Sequence, residues 1–334
     1  MARVAAKPAL EQPVKVWAFV GGVVVLALIP VFVRTPSYLD VLIYIGIYSI
    51  VTTGLCLLTG YAGQISLGQA AFYGLGAYTS AILTVSYDVP SPLALIAGII
   101  LTAAVAYGFG IPILKLKGHY LAMATLAFGI ITYLAFVEFK DLTGGPSGMP
   151  GVRPFSLFGF TFDSDLKRYY LTTGAALLTL LVARNVVNSR IGRALRSIHG
   201  SEVAAETLGV DTARHKLQVF ALSAAMASLA GSLYAHHLGL VSPAAFTFVA
   251  SVEFVVMAAI GGLASIWGAP FGAAAITILT EAIRRVMPRL LSYASGEHEV
   301  IAYGIILVAI MIFMPEGLVS GLRASFWRRR QAGG

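Results

Sequence analysis

Charged residues are scarce in this sequence. Asp, Glu, Lys and Arg make up 11% of its 334 residues, whereas a soluble globular domain carries about 25%. Hydrophobic residues account for 58%, and the mean hydropathy is +0.83. The intervals between the apolar runs are too short for a soluble domain. We therefore expect a protein that places most of its length in lipid.

Cysteine and metal ligands are also rare. Cys56 is the only cysteine and falls inside an apolar run, which excludes a disulfide framework and a cysteine-based metal site. His236 and His237 are adjacent, but no carboxylate or cysteine stands at ligand spacing from them. The sequence predicts no metal site and no cofactor bound by this chain.

Motifs for nucleotide binding and hydrolysis are missing. No Gly-x-x-x-x-Gly-Lys-Ser/Thr run is present, so the chain has no ordinary cradle for ATP phosphates. Neither a His-Glu-x-x-His pair nor a nucleophile elbow occurs, which argues against an enzyme. The net charge of +8 comes from basic residues in short loops, a distribution typical of membrane topology rather than of nucleic-acid binding. Energy for any transport must come from a partner or an ion gradient.

Ten apolar segments approach the length needed to span a bilayer, which is roughly 17 to 25 residues. They fall near 16–33, 39–59, 65–85, 93–114, 119–137, 168–187, 216–236, 249–263, 266–287 and 299–315. This pattern predicts an all-α polytopic membrane protein, a single domain over residues 1–334. We expect about 8–10 transmembrane helices, some of them broken or re-entrant.

The distribution of basic residues predicts the orientation. With the N terminus inside, 15 of the 23 Lys and Arg residues lie on the inner side and 8 on the outer side. Both the segment 1–15 and the basic tail 319–334 are then cytoplasmic. The connection 138–168 lies outside, where its glycines and prolines favour compact turns, and the insert 188–216 lies in the cytoplasm.

The stretch Thr59–Ala81 is too rich in glycine and polar residues for an ordinary lipid-facing helix. Irregular or polar backbone is tolerated in a bilayer where it is buried in protein or lines a wet cavity. Glu253, near a second glycine-dense region, also needs a partner or a water-lined cavity at that depth. The pattern predicts a translocation path at these residues or, alternatively, close helix packing. The predicted path residues are Gly60, Gly63, Gln64, Ser66, Gln69 and Glu253.

The insert 188–216 interrupts the membrane pattern with two predicted helices. In the first, apolar residues at helical spacing face away from three arginines: Ile191, Ala194, Leu195 and Ile198 against Arg190, Arg193 and Arg196. Ser201 is a predicted N-cap for a shorter second helix that ends at Gly209. Such a helix could receive force from a soluble partner, or it could belong to an ordinary basic loop.

Four motifs in this order resemble the branched-chain amino acid permeases of the LivH and LivM type. They are Gly-Tyr-Ala-Gly-Gln-Ile-Ser-Leu-Gly-Gln-Ala from Gly60, His119 to Gly129, Thr143 to Gly148, and Ser251 to Gly272. The run Glu202 to Gly209 looks like the EAA loop of importers driven by ATP-binding cassette (ABC) proteins, whose short helix docks in a cleft of the ATPase subunit. The resemblance covers about residues 40 to 318, and it implies coupling residues at Glu202, Ala204, Ala205, Glu206 and Gly209.

The resemblance also implies the partners. We expect a LivH-type permease, two ABC ATPase subunits that bind ATP and Mg²⁺, and an extracytoplasmic substrate-binding protein, in a bacterial inner membrane. The implied solutes are branched-chain amino acids, with urea, amides or aromatic acids as alternatives. A stand-alone secondary transporter or channel and a purely structural membrane protein are the rival hypotheses; uptake by this chain alone would favour the former.

Overall fold

The computed structural model describes residues 16–32, 35–290 and 304, and its regular structure is almost entirely helical. The helices are α1 (Val16–Phe32), α2 (Pro36–Leu55), α3 (Gln69–Ser86), α4 (Ser91–Ile113), α5 (His119–Glu138), α6 (Lys140–Thr143), α7 (Asp165–Asn188), α8 (Arg190–Gly200), α9 (Glu202–Thr207), α10 (Thr212–Leu238), α11 (Phe248–Gly261) and α12 (Ala269–Leu290). A π-helix at Cys56–Tyr61 continues α2. Four two-residue strands are β1 (Met149–Pro150), β2 (Ser156–Leu157), β3 (Phe160–Thr161) and β4 (Leu240–Val241).

The prediction of an all-α polytopic protein is confirmed. The first nine predicted apolar segments are helices; the tenth, at 299–315, lies outside the described residues apart from Gly304, as do 1–15 and 319–334. Within the described part, six helical stretches are long and apolar enough to cross a membrane. They are Pro36–Tyr61, Ser91–Ile113, His119–Glu138, Asp165–Asn188, Thr212–Leu238 and Ile266–Val286. Helices α1 and α11 are shorter, and the glycines and polar residues of α3 reduce its hydropathy.

Helix α10 lies at the centre of the bundle and packs against α2, α3 and α4. Small side chains make this possible, because they let helix backbones approach closely. A Cβ atom at Gly231 would overlap the carbonyl oxygen of Tyr73 on α3, and one at Gly76 would overlap the backbone of Ser228. The Thr102 hydroxyl donates to Ser228 Oγ at 3.1 Å and joins α4 to the same site. The small residues of α10 therefore form a packing surface.

The connection between α5 and α7 is compact, as its turn residues predict. The Thr143 hydroxyl donates to the carbonyl oxygens of Phe136 and Phe139, at 2.7 and 2.8 Å, and accepts from the amide of Gly145 at 3.2 Å. Strand β1 pairs antiparallel with β4, and β2 pairs with β3. We call this group of strands and turns the strand end of the bundle.

The pair α8–α9 lies at the opposite end. Helix α7 has 24 residues and runs from the strand end to α8, and α10 has 27 residues and returns from α9 to β4. At 1.5 Å per residue these helices separate the two ends by roughly 35 to 40 Å, enough to cross a bilayer. The two predicted loops, 138–168 and 188–216, therefore emerge on different sides.

Candidate functional site: the α8–α9 hairpin and the interrupted helices

Helix α8 has the predicted amphipathic form in part: of its four predicted apolar residues, Leu195 and Ile198 are buried, Ala194 is half-buried and Ile191 is exposed. Its N-cap Ser189 accepts from the amides of Ile191 and Gly192, at 3.1 and 3.4 Å, which satisfies donors that would otherwise have no intrahelical partner. Leu195 and Ile198 are buried against the bundle. The three arginines of α8 (Arg190, Arg193 and Arg196) are exposed. This arrangement suits a helix that lies along a membrane surface.

Helix α9 is a single short helix with well-formed ends. Ser201 accepts from the Ala204 amide at 3.3 Å. At the other end, the Val210 amide donates to the Ala205 carbonyl at 3.0 Å and the Gly209 amide to the Glu206 carbonyl at 2.9 Å. These two bonds form a Schellman motif, which requires a left-handed residue after the helix. Gly209 supplies it with φ of +80°.

Three of the five predicted coupling residues contact the rest of the chain. Ala205 is only 1% exposed, Glu202 Oε1 lies 2.5 Å from Lys216 Nζ on α10, and Glu206 accepts from the Thr212 hydroxyl at 2.7 Å. Ala204, Glu206 and Gly209 are exposed. Whether any of the five contacts an ATPase stays a prediction.

Two apolar side chains that the sequence analysis did not single out project from this hairpin. Val203 is 66% exposed and Leu208 is 82% exposed. Val203 lies in α9 and Leu208 directly follows its last residue, so the exposed surface of this end of the hairpin carries two large apolar side chains. The sequence could have drawn attention to them, since they are the two large aliphatic residues between Ser201 and Gly209. Only the position of Ala205 in the structure, however, shows which side of the helix is free. We call Val203 and Leu208 the apolar tip.

The predicted helix interruption lies between α2 and α3. The π-helix ends at Tyr61, and residues 62–68 form no regular helix. A Cβ atom at Gly60 would overlap the Leu263 carbonyl oxygen in the turn between α11 and α12, so only glycine permits this contact. Side chains satisfy part of the irregular backbone: Thr59 donates to the Gln64 carbonyl at 3.1 Å, and Thr125 accepts from the Leu67 amide at 3.0 Å. In a bilayer, the backbone N–H and C=O groups of a non-helical segment need such partners within the protein, because no water is present to bind them.

The interrupted stretch also contacts the hairpin. A Cβ atom at Gly63 would lie 3.0 Å from Nδ1 of His199, the penultimate residue of α8. Gln64 is buried, and its Nε2 donates to the Ala62 carbonyl at 3.2 Å. One predicted path segment and the predicted coupling segment are thus neighbours.

The first turns of α3 and α11 meet near the middle of the bundle. Gln69 is fully buried, and its Nε2 donates to Ser223 Oγ at 3.0 Å; its Oε1 has no hydrogen-bond partner among the described residues. Ser251 Oγ accepts from the Ala70 amide at 3.0 Å. Ser223 lies 11 residues into α10, which is roughly 16 Å along the helix. The structure therefore brings the two predicted interrupted regions together.

Not every predicted path residue has a clear position in this meeting point. Ser66 is buried and accepts a long, 3.4 Å bond from the Gly68 amide. Glu253 is half-buried, two residues after Ser251 on α11. That these residues line a translocation path stays a prediction.

Aromatic rings fill the space on the strand-end side of Gln69. Tyr73, one turn after Gln69, packs against Phe246 and Phe254 with ring centroids 5.5 Å apart in both pairs. Phe136 and Tyr78 extend the cluster, with centroids 4.4 Å apart. These side chains are all buried, so aromatic rings separate Gln69 from the strand end.

Comparisons with known proteins agree with this architecture. Residues 37–315 match a family model described as "Branched-chain amino acid transport system / permease component". The chain is similar to the high-affinity branched-chain amino acid transport system permease protein LivM of Escherichia coli K12, with 30% identity over 336 residues, 93% of this chain and 77% of the relative.

More distant relatives include both permease types. The probable LivM permease of Methanocaldococcus jannaschii is 25% identical over 324 residues, 84% of this chain and 92% of the relative. The LivH permease of Salmonella typhimurium is 26% identical over 290 residues, 81% of this chain and 91% of the relative. No solved structure matches the chain.

Proposed function

The chain belongs to the family of branched-chain amino acid transport permease components, and from that premise we propose that it is a membrane-spanning subunit of an ABC importer for branched-chain amino acids. The family and the six apolar helices among the described residues make it a multi-pass inner membrane protein. The solute is part of the proposal, and it is supported by the names of the relatives. As in its relatives, which are permease subunits, this chain is a transport component rather than an enzyme.

The apolar tip on the α8–α9 hairpin is the observation that carries this proposal. Val203 and Leu208 are largely exposed, and their position at the end of a basic hairpin suits a contact with a protein partner that would bury them. A permease without a phosphate-binding loop needs such a contact to receive the work of ATP hydrolysis. The tip would enter the cleft of an ATPase subunit, as the resemblance of Glu202 to Gly209 to the EAA loop implies.

The remaining partners follow from the same assignment. A LivH-type permease would complete the membrane part, two ATPase subunits would bind ATP and Mg²⁺, and a substrate-binding protein would approach the strand end from outside. The hairpin and both termini are then cytoplasmic, in keeping with the excess of basic residues on that side.

The interrupted helices would line the path of the solute. Gln69 Oε1 is a buried acceptor with no hydrogen-bond partner among the described residues, which is costly in an apolar interior. It would gain a donor when the aromatic cluster opens and water or solute enters. Tyr73 and Phe246 close the space beyond it. ATP-driven movement of α9 would switch this closure from one side to the other.

Co-isolation and uptake measurements test the proposal. The chain, expressed with its candidate LivH-type and ATPase partners, should co-purify with the ATPase, and leucine uptake into proteoliposomes should require ATP and the binding protein. Changing Val203 and Leu208 to Asp together should remove the ATPase from the complex, because two charges would enter an apolar cleft. Arg193→Gln, on the exposed side of α8, is the matched control and should keep it. Uptake of leucine by this chain alone would refute the proposal.

A further inference from the structure

Lys216 is an unusual residue for a buried position. It lies in the second turn of α10 and is 2% exposed, although lysine is almost never fully buried unless it is paired. Its Nζ lies 2.5 Å from Glu202 Oε1, and the second carboxylate oxygen of Glu202 lies 3.7 Å from Lys117 Nζ in the α4–α5 turn. The first residue of α9 is therefore bound to two membrane segments by charge.

This ion pair lies against a cavity rather than in tight apolar packing. A polar cavity of about 150 Å³ separates the base of α9 from the bundle, and the residues around it include Gly63, Gln64 and His199 as well as the three charged groups. The ion pair connects α9 to the start of α10 at the edge of this cavity, together with the buried Ala205 and the hydrogen bond between Thr212 and Glu206. Glu202 also stands at the positive end of the α9 dipole, which favours its negative charge there.

Contacts along α10 connect Lys216 to the place where the first turns of α3 and α11 meet. Ser223, the hydrogen-bond partner of Gln69, lies two helical turns beyond Lys216 on α10. Between them Phe220 packs against Phe72 of α3, with ring centroids 5.4 Å apart. A displacement of α9 that pulls Lys216 therefore acts on α10 and, through these two contacts, on the first turns of α3.

We propose that the Lys216–Glu202 ion pair is the positioning link that makes α9 and α10 move together, so that work received at the apolar tip reaches the path near Gln69. This inference rests on the proposed function. Glu202 would then serve within the chain, not as a contact of the ATPase. Lys117, more exposed and more distant, would have a smaller part.

Charge-neutral variants test the link in the assembled transporter. Either single change leaves one charge without its partner, and Glu202→Gln leaves a buried lysine charge, so such variants risk misfolding. The double variant Lys216→Met with Glu202→Gln removes both charges and avoids this penalty. The matched control is Glu281→Gln with Arg285→Met, which removes an ion pair at the other end of the bundle.

The readout is the amount of solute imported per ATP hydrolysed in proteoliposomes. We expect the double variant to assemble with the ATPase and to hydrolyse ATP. The amount of solute that it imports per ATP should fall by about fivefold or more, because fivefold corresponds to the lower end of typical coupling energies between two sites. The control should keep the native ratio. A loss smaller than fivefold in the double variant, or its failure to assemble, would overturn the link, because the pair would then be dispensable for coupling or merely structural. If the native chain itself does not associate with an ATPase, the proposed function fails instead.

Discussion

Replacement of Gly209 gives a graded test of whether the shape of the hairpin governs transport. Its φ of +80° completes the Schellman motif at the end of α9. A Cβ atom at this position would have no neighbour within 4 Å among the residues that the structure describes. The cost of a substitution is therefore backbone strain alone, free of any steric clash, and can be estimated.

An L-residue in the left-handed region costs roughly 1 to 2 kcal/mol. Asparagine tolerates this conformation better than alanine, and a β-branched residue tolerates it worse. A change of 1 to 2 kcal/mol lowers the population of the correctly ended hairpin by roughly 5- to 30-fold relative to alternatives. We expect uptake to fall in the order Gly209→Asn, Gly209→Ala, Gly209→Val, with the smallest loss for asparagine. Gly209→Pro should abolish uptake.

The assay is ATP-dependent uptake by the reconstituted importer, normalised to the amount of complex in the membrane. Gly200→Ala is the matched control: a Cβ atom there also has no neighbour, but the residue ends α8 in helical conformation, so uptake should not change. Equal uptake by the asparagine, alanine and valine variants would refute the reasoning, because the left-handed turn would then have no role.

Three further perturbations probe the bundle and the path. Gly231→Leu should reduce the thermal stability and the membrane content of the protein, because its side chain would displace the Tyr73 backbone; Gly174→Ala, with open space around it, should leave the melting temperature unchanged. Gln69→Leu should lower uptake by about tenfold or more without loss of assembly, since it removes the polar groups next to Ser223, whereas the exposed Gln218→Leu should not. Phe246→Ala should raise passive leakage of solute, because Phe246 is a central ring of the aromatic closure; unchanged leakage would show that other groups close the path.

Much of this architecture was predictable because lipid imposes simple rules. Apolar length alone located nine helices among the described residues, and glycine density located the irregular stretch after Tyr61. Capping chemistry predicted the two ends of α9 at Ser201 and Gly209. These are local properties, which the sequence carries directly.

Tertiary packing decided the rest. A helix as short as α9 has no periodic pattern, so the sequence could not tell that Ala205 faces inward and Leu208 outward. Lys216 was predicted as one of several cytoplasmic charges, yet it is buried because Glu202, 14 positions earlier in the chain, folds back onto it. The contact of Gly60 with Leu263 likewise joins segments about 200 residues apart.

Cross-linking from the apolar tip tests the central claim most directly. The only native cysteine, Cys56, is fully buried, so Leu208→Cys in a Cys56→Ala background presents one reactive thiol. With ATPase subunits that carry cysteines along their cleft, this thiol should form a disulfide-linked product with the ATPase, whereas Phe158→Cys, exposed at the strand end, should form none. A Leu208→Cys thiol that forms no such product, or that reacts with an impermeant reagent added from outside intact cells, would contradict the account.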